Sequence, residues 1–225
     1  MKIYLSQMND FKDLCGLNRL WSERREQVLR YLHPKDKARS LAAGLMMSFV
    51  LGITDDSQIQ YNPFGKPYLS GSPEYSESPD SFASSVHFNL SHSGDYIVLA
   101  VDENEVGIDI EKILPYSDDI ARKCFVSEEY RWLKQQKDVD SFYMLWTAKE
   151  SVMKACGKGL QMPPESFNVL PVEDGPHLID GKIWFLSWQI HDGHQICVAS
   201  EKEISEINII SLSKTDLLNR PEETV

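Results

Sequence analysis

The stretch EVGIDIEKI, Glu105–Ile113, decides how this chain is read. Val106, Ile108 and Ile110 alternate with Gly107, Asp109 and Glu111, and a period of two marks a half-buried β-strand. Side chains two apart leave a strand on the same face, so Asp109 and Glu111 stand side by side. Like charges that close are unfavourable unless something positive lies between them. A lone D-x-E pair is most often a solvated outer face, so the answer must come from elsewhere in the chain.

Working outward, VHFNLSHSGDYIVLAVDEN reads as strand, turn at Ser93-Gly94, strand, and a turn near Glu103-Asn104 into the acidic strand. After Pro115, SDDIARKCF and SEEYRWLKQQ read as helices, the second with Ser127 as N-cap. DSFYMLWTAKESVMKACGKG is the strongest helix, with Phe142, Leu145, Trp146, Val152, Met153 and Cys156 as its apolar stripe and Gly157 as its stop. Strands follow near Lys182–Ile190, His194–Ser200 and Ile207–Leu212. Toward the N-terminus, residues 2–6 form a strand, and a helix from Leu17 to Leu32 closes at Pro34. A second helix runs from an Asp36 N-cap to Gly52. YNPFGKPYL is an extended turn, and the Ser/Pro-rich stretch 70–85 is a mobile loop. Strand–helix–helix–strands occurs twice. The expectation is an α+β protein of two similar α/β subdomains, residues 1–103 and 104–225.

Composition bounds the function. With 225 residues, 42% hydrophobic and 25% charged, the chain is ordinary globular protein. A net charge of −11 argues against a nucleic-acid binder. The charge is uneven: residues 12–39 hold eight Lys or Arg against four acids, and residues 102–119 hold seven acids and one Lys. Cys15, Cys124, Cys156 and Cys197 are scattered with no C-x-x-C, which points to reduced thiols in a cytoplasm rather than a zinc site or a disulfide framework. No run approaches the roughly 18 apolar residues of a membrane span, and the N-terminus does not read as a secretory signal.

The chemistry concentrates in WTAKESVMKACGKGL, Trp146 to Leu160. Trp146, Glu150 and Lys154 fall at i, i+4 and i+8 on one helix face. A Glu–Lys pair at that spacing is commonplace on solvated helices. Lys149, Lys154 and Lys158 beside a Gly-rich exit are less so, because together they could neutralise phosphates. If Glu150 converges with Asp109 and Glu111, three carboxylates repel unless a cation joins them. Mg²⁺ prefers oxygen ligands and shares its shell with substrate phosphates, so the combination suggests a pyrophosphate-containing substrate.

GIDIEKI, WTAKESVMKACGKGL about forty residues on, the preceding FNLSHSGDYIVLAV and GKPYL together resemble the 4′-phosphopantetheinyl transferases of the larger, surfactin-synthetase-activating type, over Phe64 to Leu160. The resemblance implies two α/β subdomains related by a pseudo-twofold axis, with one complete site in the cleft of a monomer. It implies transfer of the phosphopantetheine arm of coenzyme A to a serine of an apo acyl or peptidyl carrier protein, releasing adenosine 3′,5′-bisphosphate. Asp109, Glu111 and Glu150 match the family's magnesium ligands, and Glu150 also matches its proposed general base. Lys149 and Lys154 match contacts to the coenzyme A phosphates, Lys154 also reaching the breaking bridge. Lys66 matches a residue at the adenine and phosphate end, and Ser91 and His92 match residues at the pyrophosphate and 3′-phosphate. Arg24, Arg39 and Ser40 occupy places where the family contacts the 3′-phosphate.

Two other classes compete. A metal-dependent nuclease would want an acid and a Lys two apart on one strand, whereas Lys112 directly follows Glu111. A non-catalytic coenzyme A- or carrier-binding module would not need the acidic triad. For the carrier, ARKCF and RWLKQQK offer basic and apolar residues around Phe125, a docking face for an acidic partner.

Overall fold

In the computed structural model the acidic stretch is strand β6, Val106–Lys112, and it begins the second of two similar folding patterns. The structure describes residues 1–70 and 86–219, so all of the Ser/Pro-rich stretch but Ser70 lies outside the described residues. The first half runs β1 (Lys2–Gln7), α1 (Ser22–Arg30), α2 (Pro34–Leu51), the small hairpin β2 (Ile59–Tyr61) and β3 (Pro67–Leu69), then β4 (His87–Ser93) and β5 (Tyr96–Asp102). The second runs β6, α3 (Asp118–Cys124), α4 (Ser127–Gln135), α5 (Asp140–Cys156), β7 (Gly175–Ile179), β8 (Lys182–His191) and β9 (His194–Ser200). The chain closes with β10 (Asn208–Ser211) and α6 (Lys214–Leu218).

Besides the β2–β3 hairpin, the described residues form two four-stranded sheets, ordered β10-β1-β5-β4 and β6-β9-β8-β7. In each half the first strand pairs antiparallel with the last, and the last with the one before it: β1–β5–β4 matches β6–β9–β8. The repeated rhythm of the sequence is therefore a repeated topology. Alternation divides each central strand between two cores. Ile3, Leu5, Val98, Val106, Ile108, Ile110, Ile196 and Val198 form one cluster between the sheets. The opposite faces meet helices: Ile97 and Leu99 join α2 residues, and Cys197 and Ala199 join α5 residues. Burying a large aliphatic side chain in such a layer contributes about 1.5–3 kcal/mol.

Several boundaries differ from expectation for identifiable reasons. The segment expected as one helix closed by Pro34 is a 3₁₀ turn, Leu17–Arg19, followed by α1, and Pro34 opens α2 instead. Proline suits a first helical turn, whose N–H groups lack partners anyway. Asp36 lies inside that turn, and His33 is the N-cap. Ser127 is likewise the first residue of α4, with Val126 as N-cap. Strand β7 was not expected. The end of the chain leaves the second half: β10 pairs parallel with β1, and Leu212 and Leu217 enter the first half's core. A boundary that assigns all of 104–225 to one subdomain is corrected to that extent.

Candidate active site

Strand β6 turns Gly107, Asp109 and Glu111 toward α5, while Val106, Ile108 and Ile110 face the inter-sheet core. Gly107 is needed for proximity. A Cβ there would lie 2.0 Å from the Ser151 carbonyl oxygen and 2.5 Å from the Ala155 nitrogen, so only glycine lets α5 lie this close. Close approach brings Lys154 to Asp109, with Nζ donating to Oδ1 at 2.6 Å. Lys154 also donates to Ser91 Oγ at 2.9 Å, and Ser91 Oγ donates to the same Asp109 oxygen at 2.8 Å. Ser93 Oγ donates to Glu111 Oε2 at 2.6 Å. The first counter-charge for the acidic strand is thus a lysine in the last turn of α5, held within one hydrogen-bonded cluster with the NLSHS strand.

Burial sets the electrostatics. Asp109 is almost wholly enclosed, and desolvation pushes its carboxyl above the ordinary value against the pull of Lys154. Burial likewise raises Glu111, with Ser93 opposing and Asp109 adding to the rise. Burial and then the Asp109 charge raise Glu150. Each carboxylate is short of positive charge. Asp109 Oδ2 is buried without a hydrogen-bond partner among the described residues. No three His, Cys, Asp or Glu side chains among those residues form a ready metal cage. The expected triad is therefore gathered but not closed, and its unsatisfied oxygen and hard-oxygen chemistry fit a divalent cation such as Mg²⁺.

Glu150, Met153 and Lys154 line a cleft of about 370 Å³ with Asn89, Lys66 and Phe64. The Lys66 stem lines it, but its ammonium is turned to Glu105 and to the Ala155 carbonyl at 2.8 Å. Burial and then the Arg39 charge hold the His92 imidazole below its ordinary value, and Lys154 adds to the effect. Arg39 itself pairs with Asp36 at 2.9 Å. Arg24 is engaged with the Ser40 carbonyl, at 3.0 and 3.2 Å, and with Gln27. Ser40 is buried, and its hydroxyl has no partner among the described residues. These first-half residues are not hydrogen-bonded to the acidic cluster.

Lys149 is a correction. It is fully buried, paired with Glu129 at 2.8 Å, and donates to the carbonyls of Pro164 and Phe167. Burial pulls its ammonium down and pushes the Glu129 carboxyl up. Glu129 also accepts from the Val126 and Val169 amides, so the pair knots α4, α5 and the 164–169 segment together. A lysine so enclosed cannot meet phosphates in the cleft. Phe125 is also core, packed 5.3 Å from the Phe142 ring, and is not available for docking.

Sequence reasoning missed Glu129, Glu105, Ser93, Asn89 and Asn62. Asn62 ties the GKPYL turn to the end of α5: its Nδ2 donates to the Gly157 carbonyl at 2.9 Å, and its Oδ1 accepts from the Phe64 and Lys66 amides. The Asn-Pro at the start of that turn was the available signal. Gly157, at φ +62°, ends α5 where a Cβ would lie 2.8 Å from Lys66 Cδ.

The two-half fold and its carboxylate-lined cleft suit an enzyme that handles a phosphate-bearing substrate. Residues 105–202 match the 4′-phosphopantetheinyl transferase superfamily, and residues 9–104 match the N-terminal region of 4′-phosphopantetheinyl transferases. The chain belongs to the 4′-phosphopantetheinyl transferase family, enzymes that move 4′-phosphopantetheine from coenzyme A to carrier proteins. A 4′-phosphopantetheinyl transferase of Bacillus subtilis is 35% identical over 78% of this chain and 73% of its own. The transferase ffp of the same species is 31% identical over 94% of this chain and 98% of its own. The mouse L-aminoadipate-semialdehyde dehydrogenase-phosphopantetheinyl transferase is 29% identical over 84% of this chain and 69% of its own. The nuclease and binding-module readings are set aside. No helix among the described residues is long and apolar enough to cross a membrane.

Proposed function

We propose that this transferase works in the cleft between its two halves as a Mg²⁺-dependent, cytoplasmic monomer, modifying a serine of an apo acyl or peptidyl carrier protein. The halves in this reading divide near residue 104. The observation that carries it is the buried, unpartnered Asp109 oxygen beside two further carboxylates raised by burial. Asp109, Glu111 and Glu150 would hold the ion, which when bound supplies charge neutralisation to the pyrophosphate of coenzyme A. Lys154, at the mouth of the cluster, neutralises charge developing on the phosphoryl oxygens. Glu150, its carboxyl raised by burial and then by the Asp109 charge, takes the carrier serine's proton. His92, Ser91, Arg39 and the Lys66 stem orient the nucleotide end, with Arg24 and Ser40 shaping the wall behind them.

The carrier is proposed to dock on the segment after β6 and on α3. Its apolar anchors there are Leu114 and Ile120, 51% and 48% exposed, instead of the buried Phe125. Lys123 and Arg122 rim this face and suit an acidic partner. Incubation with coenzyme A, Mg²⁺ and an apo carrier should add the phosphopantetheine mass to the carrier, and chelation with EDTA should abolish the gain. Transfer that continues undiminished in EDTA would sink the metal assignment. A single species of about twice the chain mass in sedimentation would overturn the monomer.

A further inference from the structure

Among the described residues, strand β6 is the outer strand of its four-stranded sheet, pairing only with β9, and β4 is the outer strand of the other four-stranded sheet, pairing only with β5. Outer strands leave backbone N–H groups to be satisfied some other way. Here the Ile108 amide donates to Asn89 Oδ1 at 3.0 Å, the Ile110 amide to Ser91 Oγ at 3.4 Å, and the Lys112 amide to Ser93 Oγ at 3.0 Å. Three polar side chains at i, i+2 and i+4 on one strand thus meet three amides at the same spacing on the other. Each serine oxygen that accepts a backbone N–H sends its own O–H onward to a carboxylate, Ser91 to Asp109 and Ser93 to Glu111.

We infer that Asn89, Ser91 and Ser93 form a side-chain comb that sets the register of the acidic strand against the NLSHS strand, making Asn89 and Ser93 positioning residues for the cation ligands. The inference rests on the reading of Asp109 and Glu111 as ligands. A one-residue slip would turn both acids into the apolar inter-sheet layer, and the comb opposes it with three hydrogen bonds across the two halves. Ser93 has the clearest individual effect, because its hydroxyl fixes which way Glu111 presents its second oxygen. The ordinary alternative is that these side chains merely satisfy an edge strand and leave ligand geometry untouched.

The test uses the full chain and Mn²⁺ as the probe, titrated by electron paramagnetic resonance with coenzyme A present and no carrier. Ser93→Ala should weaken Mn²⁺ binding about tenfold, the usual size of an outer-shell loss, and Ser93→Thr should restore it. Amide exchange followed by NMR supplies a second readout. Asn89→Ala should speed exchange at Ile108, and Ser93→Ala at Lys112, by roughly fivefold to tenfold. Wild-type Mn²⁺ affinity in Ser93→Ala overturns the positioning role whatever the exchange rate, and unchanged Lys112 exchange overturns the comb itself. Failure of the wild-type protein to bind Mn²⁺ overturns the ligand reading instead, and amide exchange then decides the comb alone: faster exchange supports it and unchanged exchange overturns it.

Discussion

Lys149 and Lys154 lie on one helix, carry the same charge and face opposite fates. Lys149 is sealed between Glu129 and two carbonyls, whereas Lys154 reaches Asp109 at the edge of an open cleft. Five residues at 100° each turn a side chain by about 140° around a helix, so two lysines at this spacing cannot share a face. One helix thereby serves two purposes: its Lys149 side fastens α5 to α4 and the 164–169 segment, and its Glu150–Lys154 side lines the cleft. The difference teaches that a basic cluster read along a chain is not a basic patch until the helix has been wound.

Mutations test that contrast. The largest effect is expected at the carboxylate opposite Lys154. Asp109→Ala should cut carrier modification by about 10³-fold or more while leaving the circular dichroism spectrum native, since Ile108 and Ile110 still anchor the strand. A variant with near-normal transfer would remove Asp109 from the chemistry. Next comes the buried pair. Glu129→Ala leaves an uncompensated ammonium in the core, at a cost of about 3–5 kcal/mol, and should lower the Tm by roughly 10 °C. Replacing both partners, Glu129→Leu with Lys149→Met, should recover much of the loss; no recovery would mean the pair is worth more than a packed apolar substitute.

Lys154→Ala should behave in the opposite way, lowering kcat about a hundredfold with a Tm within about 2 °C of wild type. A large Tm loss there would make Lys154 a structural residue like its neighbour and dissolve the contrast. The smallest effect is expected away from α5. Arg122→Glu with Lys123→Glu should raise the KM for an acidic carrier severalfold and spare that for coenzyme A. An unchanged carrier KM would move the docking face elsewhere.

Much of this was legible because period and punctuation are local. The β4–β5–β6 run, the α5 stripe with its Gly157 stop and the β9 strand all fell where alternation and helical spacing put them. The acid pair of β6 and the Glu150–Lys154 face were legible for the same reason. Lys149 was misread because its partner, Glu129, is twenty residues distant and lies in what looks like an ordinary acidic helix start. Phe125 was misread because an aromatic between two polar helices gives no sign of which way it faces.

By itself, then, the amino-acid order determined the strand that carries Asp109 and Glu111, the helix that carries Glu150 and Lys154, and the doubled strand–helix–helix–strand plan. These follow from interactions among residues a few positions apart. What stabilises the acidic strand came from tertiary contacts: the Lys154 charge, brought in over Gly107, and the hydroxyls of Ser91 and Ser93 on β4, which donate hydrogen bonds across from the other half. Tertiary contacts also decided that β10 returns to the first sheet and that Lys149 is enclosed. Those outcomes depend on which surfaces of distant segments come together, and burial and charge pairing act on that assembled geometry rather than on local order.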